Sequence, residues 1–349
     1  MNNTKSGSYS IILNKPFFQK YINKGLYIEK HMINKNLLLK LTVPNQILNY
    51  NGEIFLGRLL DKIDKYSLYF AKYYTNKIYN IDKNNLLLLD LKEKYTENHM
   101  LLKKTKLIYY YIENVGNIEL FDILTNMRNC NINVFTRNKN VLLFSFQMIN
   151  ALKYLHNNFI AHFDIKPENI MYNDDPLIPF ERRFKLVDFG FAEKYPFRNY
   201  LNCGRICGTA YYLPLPVSLK LDEDDITKTL IRNCNDWVNY KEFDRPKILH
   251  YCIYYKQDIN LLFKTDIYSL GVIFYQILYL KLVYGYFPIN KKNIRIFREN
   301  YMNLIDNMTH NNIVERYNID ECFDHIFFKY SSKNNKYIKK KKKRFCLCC

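Results

Sequence analysis

The chain has 349 residues, 48% of them apolar and 24% charged. That is enough to bury a sizeable core, and it excludes a disordered or collagen-like chain. Lys and Arg number 52 against 33 Asp and Glu, so the net charge is +19, and residues 330–349 alone supply seven Lys, one Arg and no acid. A moderately basic body with a very basic tail points to anionic partners: phosphate ligands, a membrane or nucleic acid.

Residues 1–16 are polar and read as a flexible lead-in. Met1–Tyr9 lacks the apolar stretch of a secretory leader, and nine scattered Cys make no disulfide framework. A reducing, cytoplasmic setting is expected. The wealth of Asn, Lys, Ile and Tyr reads as AT-rich coding, which would suit a large DNA virus or an AT-rich parasite. From 17 to 112 short strands alternate with Asn/Lys turns. One segment there has helical period: Leu56, Leu59, Leu60 and Ile63 fall at i, i+3, i+4 and i+7. From 141 to 329 helices dominate. Leu143, Phe146, Ile149, Leu152 and Leu155 recur every third residue, which predicts one apolar helix stripe. A second helix is predicted over Ile267–Leu280. The longest apolar stretch, Ser269–Phe287, is interrupted by Gln276, Lys281 and Gly285, and reads as a core helix rather than a membrane span.

The strongest signal is His162-Phe163-Asp164-Ile165-Lys166-Pro167-Glu168-Asn169, followed nineteen residues after Asn169 by Asp188-Phe189-Gly190. This pair, correctly ordered after an amphipathic helix, resembles the catalytic core of a eukaryotic-type protein kinase. Cys207-Gly208-Thr209-Ala210-Tyr211-Tyr212, Lys264–Val272 and Glu315–Cys322 resemble further segments of the same family. The resemblance implies an α+β, two-lobed fold. A small mostly-β lobe covers about 17–112, a large mostly-α lobe covers about 113–329, and the active site lies in the cleft. It implies Mg·ATP-dependent phosphorylation of protein Ser/Thr. Lys166 and Thr209 favour Ser/Thr over Tyr as acceptor. By resemblance Asp164 is the base, Lys166 stabilises the transferring phosphate, and Asn169 and Asp188 are the Mg²⁺ ligands. Asp266 supports the catalytic loop.

The small lobe admits two readings. In one, Lys40 on the strand Leu37–Leu41 grips ATP, Glu53 at the head of the helix pairs with it, and Gly25 closes the phosphate loop. In the other, Gly52–Gly57 is that loop and Lys72 is the ATP lysine. The first keeps the helical period of 53–63 and is preferred. Tyr109–Asn114 resembles the hinge, whose backbone would hold adenine.

The chain departs from the family in several places. No G-x-G-x-x-G occurs. Phe163 replaces the Arg that receives an activating phosphate, so activity is expected to be independent of such phosphorylation. Pro214-Leu215-Pro216 lacks the Glu that pairs with the Arg at 316, and Asp222–Asp225 offer alternative partners. Residues 217–263 form an insertion, read as a surface excursion. These departures keep a pseudokinase, acting as a nucleotide- or protein-binding module, as the alternative function, and a metabolite kinase as a weaker one. In the tail, Lys339–Arg344 precede Cys346, Cys348 and Cys349. A lipid chain beside a polybasic patch anchors stably, so an anionic membrane surface is the expected partner of 339–349, and no specific nucleic acid is expected.

Overall fold

The protein is seen in a computed structural model that describes residues 4–6, 10–22, 24–33, 35–42, 53–65, 68–94, 102, 107–116, 118–128, 134–195, 209, 212, 214, 259–283 and 292–332. The chain divides into two compact units, Met1–Asn117 with Val187–Ala192, and Ile118–Leu186 with Glu193–Cys349. The division thus falls at 117/118 rather than 112/113, and the segment around Asp188 goes with the first unit.

The first unit is built on an antiparallel sheet of five strands in the order β1-β2-β3-β5-β4. These are β1 (Thr4–Ser6), β2 (Ser10–Asn14), β3 (Leu37–Thr42), β4 (Tyr73–Ile81) and β5 (Leu107–Glu113). Helices α1 (Lys15–Phe18), α2 (Glu53–Ile63) and α3 (Leu86–Lys94) accompany them. Successive side chains of a strand point to opposite faces. Leu37, Leu39 and Leu41 of β3 therefore share one face, where they join Leu13, Phe18, Leu87, Leu91, Tyr109 and Tyr111 in a single apolar cluster. Lys40 takes the other face, opposite Tyr110 of β5.

Residues 1–16 are not simply a flexible lead-in. Ser10–Asn14 pairs with β3 along its length, and Ile11 and Leu13 are fully buried. A strand of five residues with three consecutive apolar side chains shows no clean period, so pattern alone does not reveal it.

The second unit carries β6 (Ile118–Glu119), α4 (Leu120–Arg128), α5 (Asn138–Asn157), β7 (Ile160–Ala161), β8 (Ile170–Tyr172), β9 (Phe184–Leu186) and β10 (Glu193–Lys194). Then come α6 (Ile259–Val283), α7 (Lys292–Met308), α8 (Ile319–Asp324) and α9 (Ile326–Ser332). The expected stripe of α5 is present, but Val141, Phe144 and Met148 are buried as well, so the helix is sunk on nearly every side. Short pairs β7–β10 and β6–β8–β9 hold both ends of the loop 162–169. The helix α6 starts before Ile267, so 259–263 belong to it and not to the insertion; residues 217–258 lie outside the described residues. Among the described residues no helix is long and apolar enough to cross a membrane. The last helix reaches Ser332, past the expected boundary at 329, and 333–349 lie outside the described residues. A sheet-based unit followed by a helix-rich one is the α+β class expected.

Candidate functional site

The first unit brings Lys40, Glu53 and Asp188 together. Lys40 Nζ donates to Glu53 Oε1 and Oε2, each at 2.7 Å, and lies 3.3 Å from Asp188 Oδ1. The lysine side chain is only 5% exposed, and a buried charge of this kind needs such partners. Burial works against the ammonium, but the Asp188 and Glu53 carboxylates outweigh it and hold Lys40 well above the ordinary lysine range. Asp188 has φ 59°, a left-handed backbone uncommon for a side chain with Cβ. Its carboxylate is about half exposed, at 47%. Phe189 beside it is fully buried, edge-on to Phe70 and Tyr73.

Lys72, the rival lysine, is exposed. Its Nζ lies 5.8 Å from the Tyr74 ring centroid, and its backbone pairs with Glu113. The segment 53–57 of the rival reading is the first turn and a half of α2, not a loop. Gly25 is not in a loop between paired strands. It sits in the link between α1 and β3 with φ 103°, and its carbonyl accepts from Asn85 Nδ2 at 2.8 Å. β3 is flanked by β2 and β5, and the hairpin of β1 and β2 lies upstream of Gly25. Of the hinge-like residues, Glu113 donates its amide to Lys72 O and Asn114 to Asn36 O.

The second unit brings Asp164, Lys166, Asn169 and Thr209 together. Lys166 Nζ lies 3.0 Å from both Asp164 Oδ2 and Thr209 Oγ1, and Thr209 Oγ1 donates to Asp164 Oδ1 at 2.8 Å. Asn169 Nδ2 donates to Asp164 O and Oδ2 at 2.8 and 2.9 Å. The other residues of 207–211 lie outside the described residues. The loop backbone is strained at Phe163, with φ 63°, and is held from α6. Asp266 is fully buried and accepts from His162 N and Phe163 N at 2.8 Å each, with His156 Nε2 at 3.1 Å. The Phe163 side chain is 1% exposed and presents no cation to a phosphate.

Each unit supplies oxygen donors of the kind a hard cation takes. Both partners of Asn169 Nδ2 are oxygens that only accept, which fixes the amide nitrogen toward Asp164 and leaves the amide oxygen as a ligand. Asp188 supplies an exposed carboxylate. Amide and carboxylate oxygens suit Mg²⁺, which takes phosphate oxygens and water for its remaining positions. Among the described residues no group of three or more His, Cys, Asp or Glu forms an all-protein metal cage.

Sequence reasoning missed Tyr73, whose hydroxyl donates to Glu53 Oε1 at 3.0 Å. The available signal was Gly57, a glycine one turn after Glu53 in a helix interior. Arg316, expected to lack its family partner, is 1% exposed. It donates to His310 O and Lys264 O at 3.0 and 3.1 Å and lies over the Tyr268 ring. Asp222–Asp225 lie outside the described residues.

Residues 89–220 match the family described as protein kinase domain. The chain is 37% identical over 109 residues to an Aurora kinase of Schizosaccharomyces pombe, 31% of this chain and 26% of that protein. It is 35% identical over 108 residues to the human cAMP-dependent protein kinase catalytic subunit PRKX, 31% of this chain and 26% of the relative. It is 25% identical over 287 residues to calcium-dependent protein kinase 5 of Plasmodium falciparum, 76% of this chain and 41% of the relative. The chain thus spans about a quarter of the length of the first two relatives.

Proposed function

From the match of residues 89–220 to the protein kinase domain family and the geometry of the two clusters, we propose that the chain transfers the γ-phosphate of Mg·ATP to Ser or Thr hydroxyls of proteins. Phosphoryl transfer asks for positioning and charge neutralisation more than for covalent chemistry. In this reading Asp164 orients the acceptor hydroxyl and takes its proton, and Lys166 offsets charge developing on the transferring group. Lys40, fixed by Glu53, grips the nucleotide phosphates. Asn169 and Asp188 hold Mg²⁺, which would neutralise phosphate charge when bound.

The observation that carries the reading is the buried Lys40 held simultaneously by Glu53 and Asp188. Burying a lysine against two carboxylates is expensive without a ligand-binding purpose, because the desolvation cost of such a pair rivals its attraction. The alternative, a pseudokinase that binds nucleotide or protein without transfer, is favoured by the missing glycine loop. It is disfavoured by the complete set Asp164, Lys166, Asn169 and Asp188. The relatives named as cAMP-dependent and calcium-dependent protein kinases support a protein acceptor.

The test is a phosphate-transfer assay on a generic basic protein with the full chain and three variants. Asp188→Ala and Lys40→Met are expected to lose about 10²-fold or more of the rate, the scale of removing one preorganised electrostatic group. Lys72→Met is expected to match the wild type. Nucleotide-dependent thermal stabilisation with no transfer would select the pseudokinase instead. Loss in Lys72→Met with retention in Lys40→Met would reverse the lysine assignment.

A further inference from the structure

We infer that Tyr73 is a positioning residue for the Lys40–Glu53 pair, and that Gly57 is a glycine in order to admit its ring. The inference rests on the proposed role of Lys40 and Glu53 and adds the device that sets their geometry.

Gly57 lies in the middle of α2, four residues after Glu53 and so on the same helix face. Glycine in a helix interior is unfavourable relative to alanine, so its presence asks for a cause. Backbone freedom is not the cause, because Gly57 has no positive φ. Space is. A Cβ added at Gly57 would lie 2.4 Å from Tyr73 Cγ, 2.6 Å from Cδ1 and 2.7 Å from Cβ. All three are contacts that only displacement of the ring or of the helix could relieve.

The same ring stacks on Tyr110, centroids 6.4 Å apart, and makes two contacts toward the site. Its hydroxyl donates to Glu53 Oε1 at 3.0 Å, the oxygen that also accepts from Lys40. Its edge meets Phe189, ring centroids 6.2 Å apart at 76°, one residue from Asp188. Tyr73 itself is 3% exposed. One buried side chain therefore touches α2 through Gly57, the carboxylate that aims Lys40, and the segment that bears Asp188. Removing the hydroxyl frees Glu53 to swing. Adding a methyl at 57 pushes the ring away from α2 and takes the hydroxyl with it.

The experiment uses the full chain, and compares wild type with Tyr73→Phe, Gly57→Ala, Tyr73→Leu and the double variant Gly57→Ala/Tyr73→Leu. Two quantities are measured: amide hydrogen exchange of residues 53–63 without nucleotide, and KM for Mg·ATP separately from KM for the protein acceptor. Tyr73→Phe keeps the ring and the fold. It is expected to speed exchange in α2 and raise KM for ATP about 5- to 10-fold, the scale of one net hydrogen bond, with the acceptor KM unchanged. Gly57→Ala is expected to do the same or more. The smaller Leu at 73 makes room for the methyl, so the double variant should be no worse than Tyr73→Leu alone.

Unchanged exchange and unchanged KM for ATP in Tyr73→Phe would overturn the inference, and so would equal losses for both substrates. Additive damage in the double variant would remove the part assigned to Gly57. If the wild type itself neither binds nucleotide nor transfers phosphate, the proposed function fails. The exchange measurement still decides whether Tyr73 and Gly57 hold α2.

Discussion

Two buried lysines show how partners decide the fate of a charge. Lys40 faces two carboxylates and is held far above its usual range. Lys281, near the end of α6, is fully buried and donates to Phe135 O and Thr136 O at 2.7 and 2.8 Å. Burial there pushes the ammonium down to about 8 from 10.5. A folded pKa below the unfolded one means that the unfolded chain binds the proton more tightly between these values. The charged lysine therefore costs stability in full below pH 8, and the cost fades as pH rises from about 8 to 10.5. The stability of wild type relative to Lys281→Met should climb over that window by up to about 3 kcal/mol, at 1.36 kcal/mol per pKa unit. Denaturant unfolding of both proteins at several pH values measures it. The many tyrosines that titrate nearby are common to both and cancel. Parallel profiles would show that Lys281 keeps its proton as readily folded as unfolded.

At the scale of elements, two buried polar side chains join parts distant in sequence. Asp266 of α6 fixes the backbone of the loop at His162 and Phe163. Arg316 ties the segment after α7 to the start of α6, through the carbonyls of His310 and Lys264 and the ring of Tyr268. A guanidinium reaches two divergent carbonyls from one planar fork and stacks on a ring; an ammonium does neither as well. Arg316→Lys is thus expected to lower stability by about 1–3 kcal/mol, the cost of leaving a buried acceptor unpaired, read as a fall in the midpoint of urea unfolding with unchanged slope. A midpoint equal to wild type would show that the segment needs only the charge. These same contacts explain what could be read from the chain alone. The segments 162–169 and 188–190 were legible because chemistry fixes their residue types and spacing. The stripe of α5 was legible because its period repeats from Leu143 to Leu155 within a long helix. In contrast, β2 is five residues long, and Gly25 was assigned to a phosphate loop only by its distance from Lys40. The role of Tyr73 depends on a glycine 16 positions upstream that it meets only after the chain folds. Short strands and contacts between distant positions leave no local pattern to read.

For the whole molecule the open question is where a strongly basic protein resides. Among the described residues no helix is long and apolar enough to cross a membrane; charge and added lipid are two other routes by which a chain binds a bilayer. Residues 339–344 are six consecutive cations followed within five residues by Cys346, Cys348 and Cys349. Each cation near an anionic leaflet contributes about 1 kcal/mol, and this attraction is screened by salt. One acyl chain alone binds reversibly, with a constant of about 10⁴ M⁻¹, whereas a chain beside a basic cluster holds firmly. We therefore propose S-acylation of these cysteines and predict three distinct behaviours in fractionated eukaryotic cells expressing the protein. The full chain should pellet with membranes and stay there in high salt. The variant with all three cysteines changed to serine should pellet at low salt and be released as salt rises, since only the charges remain. A chain ending at residue 337 should stay in the supernatant at every salt concentration. Membrane partition of that shortened chain equal to the full chain would place the anchor elsewhere in the molecule. Salt-resistant pelleting of the serine variant would show that lipid on these cysteines is not what holds it.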